Sequence, residues 1–156
     1  MRPATASVRI RRPRAAVQAL LADVCLRADF LDHFLADWTP IPEDARGAGA
    51  GVRLRATGGG RHAALEMVMT EIAPERIVEE ARGGPGGRRR WRMAYELTEL
   101  SGSATQVEFT IELIAGSLLD RASWPLMRTH LQRQYGQGML RLKGLLEGEP
   151  GPRRAL

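Results

Sequence analysis

The stretch "RRRWRMAYEL", Arg88–Leu97, decides the fold. Read as a basic block with an aromatic inside it, it is a patch that grips phosphates. Read two residues at a time it is a strand, with Arg88, Arg90, Arg92, Ala94 and Glu96 on one face and Arg89, Trp91, Met93, Tyr95 and Leu97 on the other. The next segment selects the strand. "SATQVEFTIELI" sends Val107, Phe109, Ile111 and Leu113 one way and Gln106, Glu108, Thr110 and Glu112 the other, so the two segments match face for face. A hairpin closed by a three-residue loop, Ser101–Ser103, sets Leu100 opposite Ala104, Tyr95 opposite Phe109, Met93 opposite Ile111 and Arg92 opposite Glu112. The arginines then lie on a solvated face beside carboxylates, where each opposite-charge pair contributes only about 0.2–1 kcal/mol.

Working back from this hairpin, "GGPGG" at 83–87 marks a turn, and "ERIVEEARGG", "RHAALEMVMTEI" and "GVRLRATGGG" read as further strands, the second with Leu65, Met67 and Met69 on one face. "ADWTPIPEDARGAGAG" predicts a short strand and a loop. Thr5–Ile10 alternates as a first strand. Pro13 then opens a short helix carrying Val17, Leu20 and Leu21, and Asp23 caps a second whose apolar stripe is Val24, Phe30, Leu31 and Phe34. Beyond Gly116 the periodicity is helical to about Glu147. Trp124, Met127, Leu131, Tyr135, Gly138, Leu142 and Leu145 form one apolar line, and Pro125 is predicted to start or kink the main segment. The expectation is an α+β domain over residues 1–148, with a tail, 149–156, that has no partner pattern and is expected to be disordered.

At 156 residues the chain fits a single domain. Its only cysteine, Cys25, excludes an internal disulfide, suits a reducing compartment and reads as a small buried hydrophobe. The opening residues lack the apolar core of a signal peptide, and no run of about 18 apolar residues suggests a membrane span, so a cytoplasmic location is expected. The formal charge is +5, but all of the basic residues except Lys143 are arginines, scattered among acidic residues from Arg2 to Arg154. That dispersal argues against a nucleic-acid surface. His33, His62 and His130 share no metal-ligand spacing, so no metal is expected, and neither "GAGAG" nor "GGG" has the strand-to-helix setting of a nucleotide loop.

The order of elements, together with "VRIRRPRAAVQALLADVCLRADF", "GAGAGVRLRA", "TEIAPERIVEEARG", "GSATQVEFTIEL" and "LRLKGLLEG", resembles the START-like (SRPBCC) superfamily and within it the polyketide cyclase/dehydrase group. The resemblance implies a helix-grip fold: a curved antiparallel sheet of about six or seven strands around the long C-terminal helix, with an interior cavity for an apolar ligand. It implies no cofactor and names no catalytic residue, because superfamily members include carriers and receptors as well as cyclases.

Within that frame Phe34, Trp38, Met67, Met69, Trp91, Met93, Tyr95, Phe109, Trp124, Met127, Leu131 and Tyr135 are expected to line a ligand chamber. Methionine and aromatics with polar tips, rather than Leu, Ile and Val, dominate the middle strands and suit an adaptable wall. Gly138, in the middle of the helical stripe, suggests space left open. One of Glu79 and Glu80 must face inward, and a buried carboxylate needs a partner, with Arg55, Tyr95, a ligand or an open rim as the candidates. His33, with Asp32 and Asp37 nearby, is a weaker candidate for acid–base work than for a helix-end role. The expected function is binding of a small hydrophobic polyketide-, aromatic- or lipid-like molecule, with or without cyclase/dehydratase chemistry, by a monomer or homodimer. The alternative is an interaction module that contacts protein or RNA through its arginines.

Overall fold

The computed structural model describes residues 1–42, 47–58 and 61–148. The expected tail, 149–156, lies outside the described residues. Seven strands form one antiparallel sheet in the order β1-β7-β6-β5-β4-β3-β2. They are β1 (Ala4–Ile10), β2 (Leu35–Ile41), β3 (Gly51–Gly58), β4 (Arg61–Ile72), β5 (Arg76–Gly83), β6 (Arg89–Ser101) and β7 (Ala104–Ala115). Between β1 and β2 run α1 (Arg14–Ala22), a 3-10 turn (Val24–Arg27) and the single-turn α2 (Ala28–Leu31), and α3 (Leu118–Glu147) closes the domain. This is the helix-grip architecture, with α3 and the short helices covering the inner face of the curved sheet.

The central hairpin follows its alternation. Tyr95 pairs with Phe109, Met93 with Ile111 and Arg92 with Glu112. The loop itself is one residue shorter than expected: Ser101 faces Ala104, and an irregularity between Glu99 and Ser101 absorbs the difference. Because the bulge takes up one residue on β6 alone, the side chains from Glu99 back to Trp91 keep their faces, and a second irregularity follows between Trp91 and Arg90.

Helix α3 is fastened at both ends. Ser117 and Asp120 form a reciprocal capping box, and Asp120 also pairs with Arg89 Nε at 2.6 Å, tying the helix start to β6. At the far end Glu147 accepts from Lys143 Nζ at 2.7 Å and from the Arg11 backbone N–H at 2.7 Å, and Arg12 Nε donates to Leu146 O at 2.6 Å. The helix continues through Pro125 and stops where Gly148 takes a left-handed conformation (φ 72°). Its buried line is Trp124, Tyr135, Gly138, Met139, Leu142 and Leu146. Compared with the expected stripe, Met139 and Leu146 are inside, whereas Met127 and Leu145 are 46% and 44% exposed. At about 100° per residue both exposed side chains fall roughly 60° to one side of the Trp124–Leu142 line, on the edge that the sheet does not cover.

Gly138 also corrects the sequence reading. A Cβ built there meets Leu31 Cδ2 at 2.8 Å and Phe30 O at 3.3 Å. The missing side chain makes room for α2 to cross α3 and leaves no gap over the sheet. Gly138→Val is therefore expected to lose about 1–3 kcal/mol in chemical denaturation. Gly136→Ala, where nothing lies within 4 Å, should gain about 0.5–1 kcal/mol from helix propensity alone. Cys25 is exposed, contrary to expectation, because the 3-10 turn buries Val24 and Arg27 instead.

Candidate functional site

Across the inner face of the sheet, one row of register partners reads Met69, Glu79, Met93, Ile111 and Ala4, flanked by rows that carry Ala81 and Trp91 on one side and Ile77, Tyr95 and Phe109 on the other. Glu79 is the only charged side chain in these rows. It is the inward member of the pair of glutamates, while Glu80 lies on the outer face between Arg90 (2.9 Å) and Arg92 (3.3 Å), whose guanidinium groups hold its carboxyl below the usual range. Neither Arg55 nor the sheet's rim meets Glu79. Its partner is Arg27, with Nη2 on Glu79 Oε1, and both side chains are within 1% of complete burial.

Arg27 comes from the end of the 3-10 turn. It stands three residues after Val24 and three before Phe30, on the apolar stripe of its own segment. Its Nε and Nη2 donate to Leu21 O at 2.9 and 2.6 Å, which satisfies a carbonyl at the C-terminus of α1, where a cation is also favoured by the helix dipole. The guanidinium carbon lies 4.7 Å from the centre of the Tyr95 ring. Burial alone would lower the Arg27 pKa, but Glu79, with Tyr95 and Tyr135, more than offsets it and the net shift is upward, so the guanidinium keeps its charge. Both members of the pair keep an open need: Arg27 Nη1 and Glu79 Oε1 are buried and meet no hydrogen-bond partner.

Around this pair the aromatic side chains close over one another. Tyr135 from α3 stacks on Phe109 with ring centres 4.0 Å apart, Phe34 meets Tyr135 edge-on at 5.1 Å, and Tyr95 tilts against Phe109 at 4.8 Å. Tyr135 Oη donates to Met93 Sδ at 3.6 Å. Burial raises the pKa of both tyrosines, so both hydroxyls keep their protons throughout the physiological range.

Of the residues expected to line the interior, Phe34, Met67, Met69, Met93, Tyr95, Phe109 and Tyr135 are buried in this one cluster, and Trp38, Trp91 and Leu131 pack against it half-buried. Trp124 is buried apart from the cluster, its indole N–H donating to Arg2 O at 2.8 Å. Met127 is exposed on the outer side of α3 and takes no part in the interior. Two surface depressions lie elsewhere. One of about 420 Å³ runs between Pro13, Gln18, Pro74 and Glu99, and one of about 350 Å³ lies on the outer face beside Glu80, Arg82 and Arg90.

His33 is held between helices. A guanidinium can only donate, so Arg141 Nη1 at 2.9 Å makes Nδ1 the acceptor, and Nε2 carries the hydrogen towards Gln134 O at 3.0 Å. Asp32 holds Arg141 at 2.7 Å, whereas Asp37 turns away to Arg55. Burial first, and then the Arg141 charge, lower the His33 pKa from 6.5 against the carbonyl of Gln134 and the charge of Asp32. Below 6.5 the unfolded chain binds a proton that the folded chain does not. Stability should therefore fall as pH drops from about 6.5 towards the folded-state pKa and be flat above it. His33→Gln should remove that slope in thermal melts. A second loss, between 4.5 and about 2, belongs to Glu147, whose pKa Lys143 and the Arg11 backbone bring down to about 2.

Among the described residues no group of three or more His, Cys, Asp or Glu side chains could hold a metal ion, and no helix is long and apolar enough to cross a membrane. A family model described as polyketide cyclase/dehydrase and lipid transport matches residues 1–147. The fold is shared with the Zhui aromatase/cyclase from Streptomyces sp. R1128 (18% identity, TM-score 0.72, 94% of this chain and 93% of that one). It is shared also with the KanY protein (16%, 0.75, 94% and 98%) and with a START superfamily protein from Mycobacterium smegmatis (12%, 0.66, 94% and 97%). No curated protein matches the sequence.

Proposed function

Since the chain belongs to the polyketide cyclase/dehydrase and lipid transport family, we propose that the interior between α3 and the sheet binds a small hydrophobic molecule, aromatic, polyketide-like or lipid-like. The observation that carries this reading is the buried Arg27–Glu79 salt bridge at the centre of a methionine and aromatic wall, with Arg27 Nη1 and Glu79 Oε1 left without hydrogen-bond partners. A core built only for stability gains little from such a pair, since hydrophobic replacements of similar volume are often neutral or stabilising. Met67, Met69 and Met93 are unbranched and can shift rotamer to admit a ligand between Phe109 and Tyr135. The arginine-rich exterior supports the interaction-module reading less well: Arg53, Arg55, Arg76, Arg89, Arg90 and Arg92 each face a carboxylate.

Trp38 and Trp91 pack against the cluster, so titrating a panel of aromatic polyketides and lipids should give saturable changes in tryptophan emission. No response across the panel, combined with salt-sensitive RNA binding, would reverse the ranking.

A further inference from the structure

Resting on that reading, we propose that Arg27 and Glu79 make the interior selective for an uncharged ligand bearing an oxygen acceptor, and select against carboxylates and other anions.

Arg27 has five N–H groups. Nε and Nη2 both donate to Leu21 O, and Nη2 lies against Glu79 Oε1 as an ion pair, while Nη1 is buried with no hydrogen-bond partner, as is Glu79 Oε1. Leaving buried donors unmet is costly, so a ligand oxygen that meets them is bound more tightly than a hydrocarbon of the same shape. The charge of the site decides which oxygen. Glu79 already balances Arg27, and the other polar groups on them, Tyr95 and Tyr135, are protonated hydroxyls. A neutral carbonyl or hydroxyl adds no charge. A carboxylate would place a second anion beside Glu79 in a setting where like charges are poorly screened, so it must either carry in a proton or displace the existing pair. A free fatty acid is thus a poor ligand on this account, and a ring ketone a good one.

The test uses three probes of matched shape, 2-ethylnaphthalene, 2-acetylnaphthalene and 2-naphthoate, titrated against the intact protein and followed by amide and guanidinium chemical shifts. The ketone should bind about tenfold or more tighter than the hydrocarbon, should move the Arg27 side-chain signals, and should outcompete naphthoate at neutral pH. In Arg27→Met/Glu79→Met, checked for native circular dichroism, ketone and hydrocarbon should bind alike. If the wild type binds hydrocarbon and ketone equally, the selectivity is wrong while interior binding stands. Tightest binding by naphthoate also overturns it, in favour of an anion site. If none of the three binds, both the selectivity and the interior-binding reading fall.

Discussion

Glu79→Ala is expected to destabilise the protein by about 3–5 kcal/mol, because it leaves a fully buried guanidinium with no counter-charge. Arg27→Ala should be the milder of the two lesions. An abandoned carboxylate can take up a proton and become neutral, whereas an abandoned guanidinium cannot lose one. Arg27→Ala should accordingly recover part of its loss as the pH is lowered towards 5, and Glu79→Ala should not. The double replacement Arg27→Met/Glu79→Met removes both charges and keeps most of the volume. It is expected to sit only about 1–2 kcal/mol below wild type, a deficit that belongs to Leu21 O, which loses both of its donors. Urea denaturation of the four proteins gives the coupling directly. Additive losses would mean that the two charges stabilise the fold independently and that the pair has no special standing in the interior.

The same pair shows where sequence reading stops. Alternation places Tyr95, Met93 and Phe109 inward because each strand's pattern is its own evidence, and opposing patterns in a hairpin fix register even when the loop is misjudged by one residue, as at Ser101. Alternation also shows that Glu79 or Glu80 faces inward. It cannot say which, because a continuous run such as "IVEEA" alternates only once its neighbours are known. Arg27 is legible as a charge on an apolar stripe, but its pairing with a strand far along the chain depends on how the 3-10 turn lies over the sheet, which no local period encodes. The stripe on α3 drifts for a related reason. An apolar line on a helix gives the direction of greatest hydrophobicity, and the buried line is set by what covers the helix. Here the covering elements favour Met139 and Leu146 over Met127 and Leu145. Gly138 admits two opposite readings, a gap or a close approach, and only the position of α2 distinguishes them.

Phe109→Ala is the other substitution with a large expected effect, about 3–5 kcal/mol. Phe109 is 1% exposed and lies between Tyr95 and Tyr135, so truncation removes a whole ring and both of its partners face the void. The size of the loss depends on whether the site can collapse. Tyr135 is fixed by a rigid thirty-residue helix capped at both ends, and Tyr95 belongs to a central strand paired on both sides. Neither can follow the missing ring far, so the void should persist. A persistent apolar cavity of ring size accepts a small aromatic molecule. Toluene should therefore raise the unfolding midpoint of Phe109→Ala, since a ligand at about 100 times its Kd adds roughly 2.7 kcal/mol, and should raise that of the wild type less. Equal shifts in both proteins would mean that the wild-type interior already opens to a ring of this size, with the methionines as the yielding side. A small destabilisation with no response to toluene would mean that Tyr135 falls into the gap, and the stack of Phe34, Tyr135 and Phe109 would then be too pliable to shape a binding site.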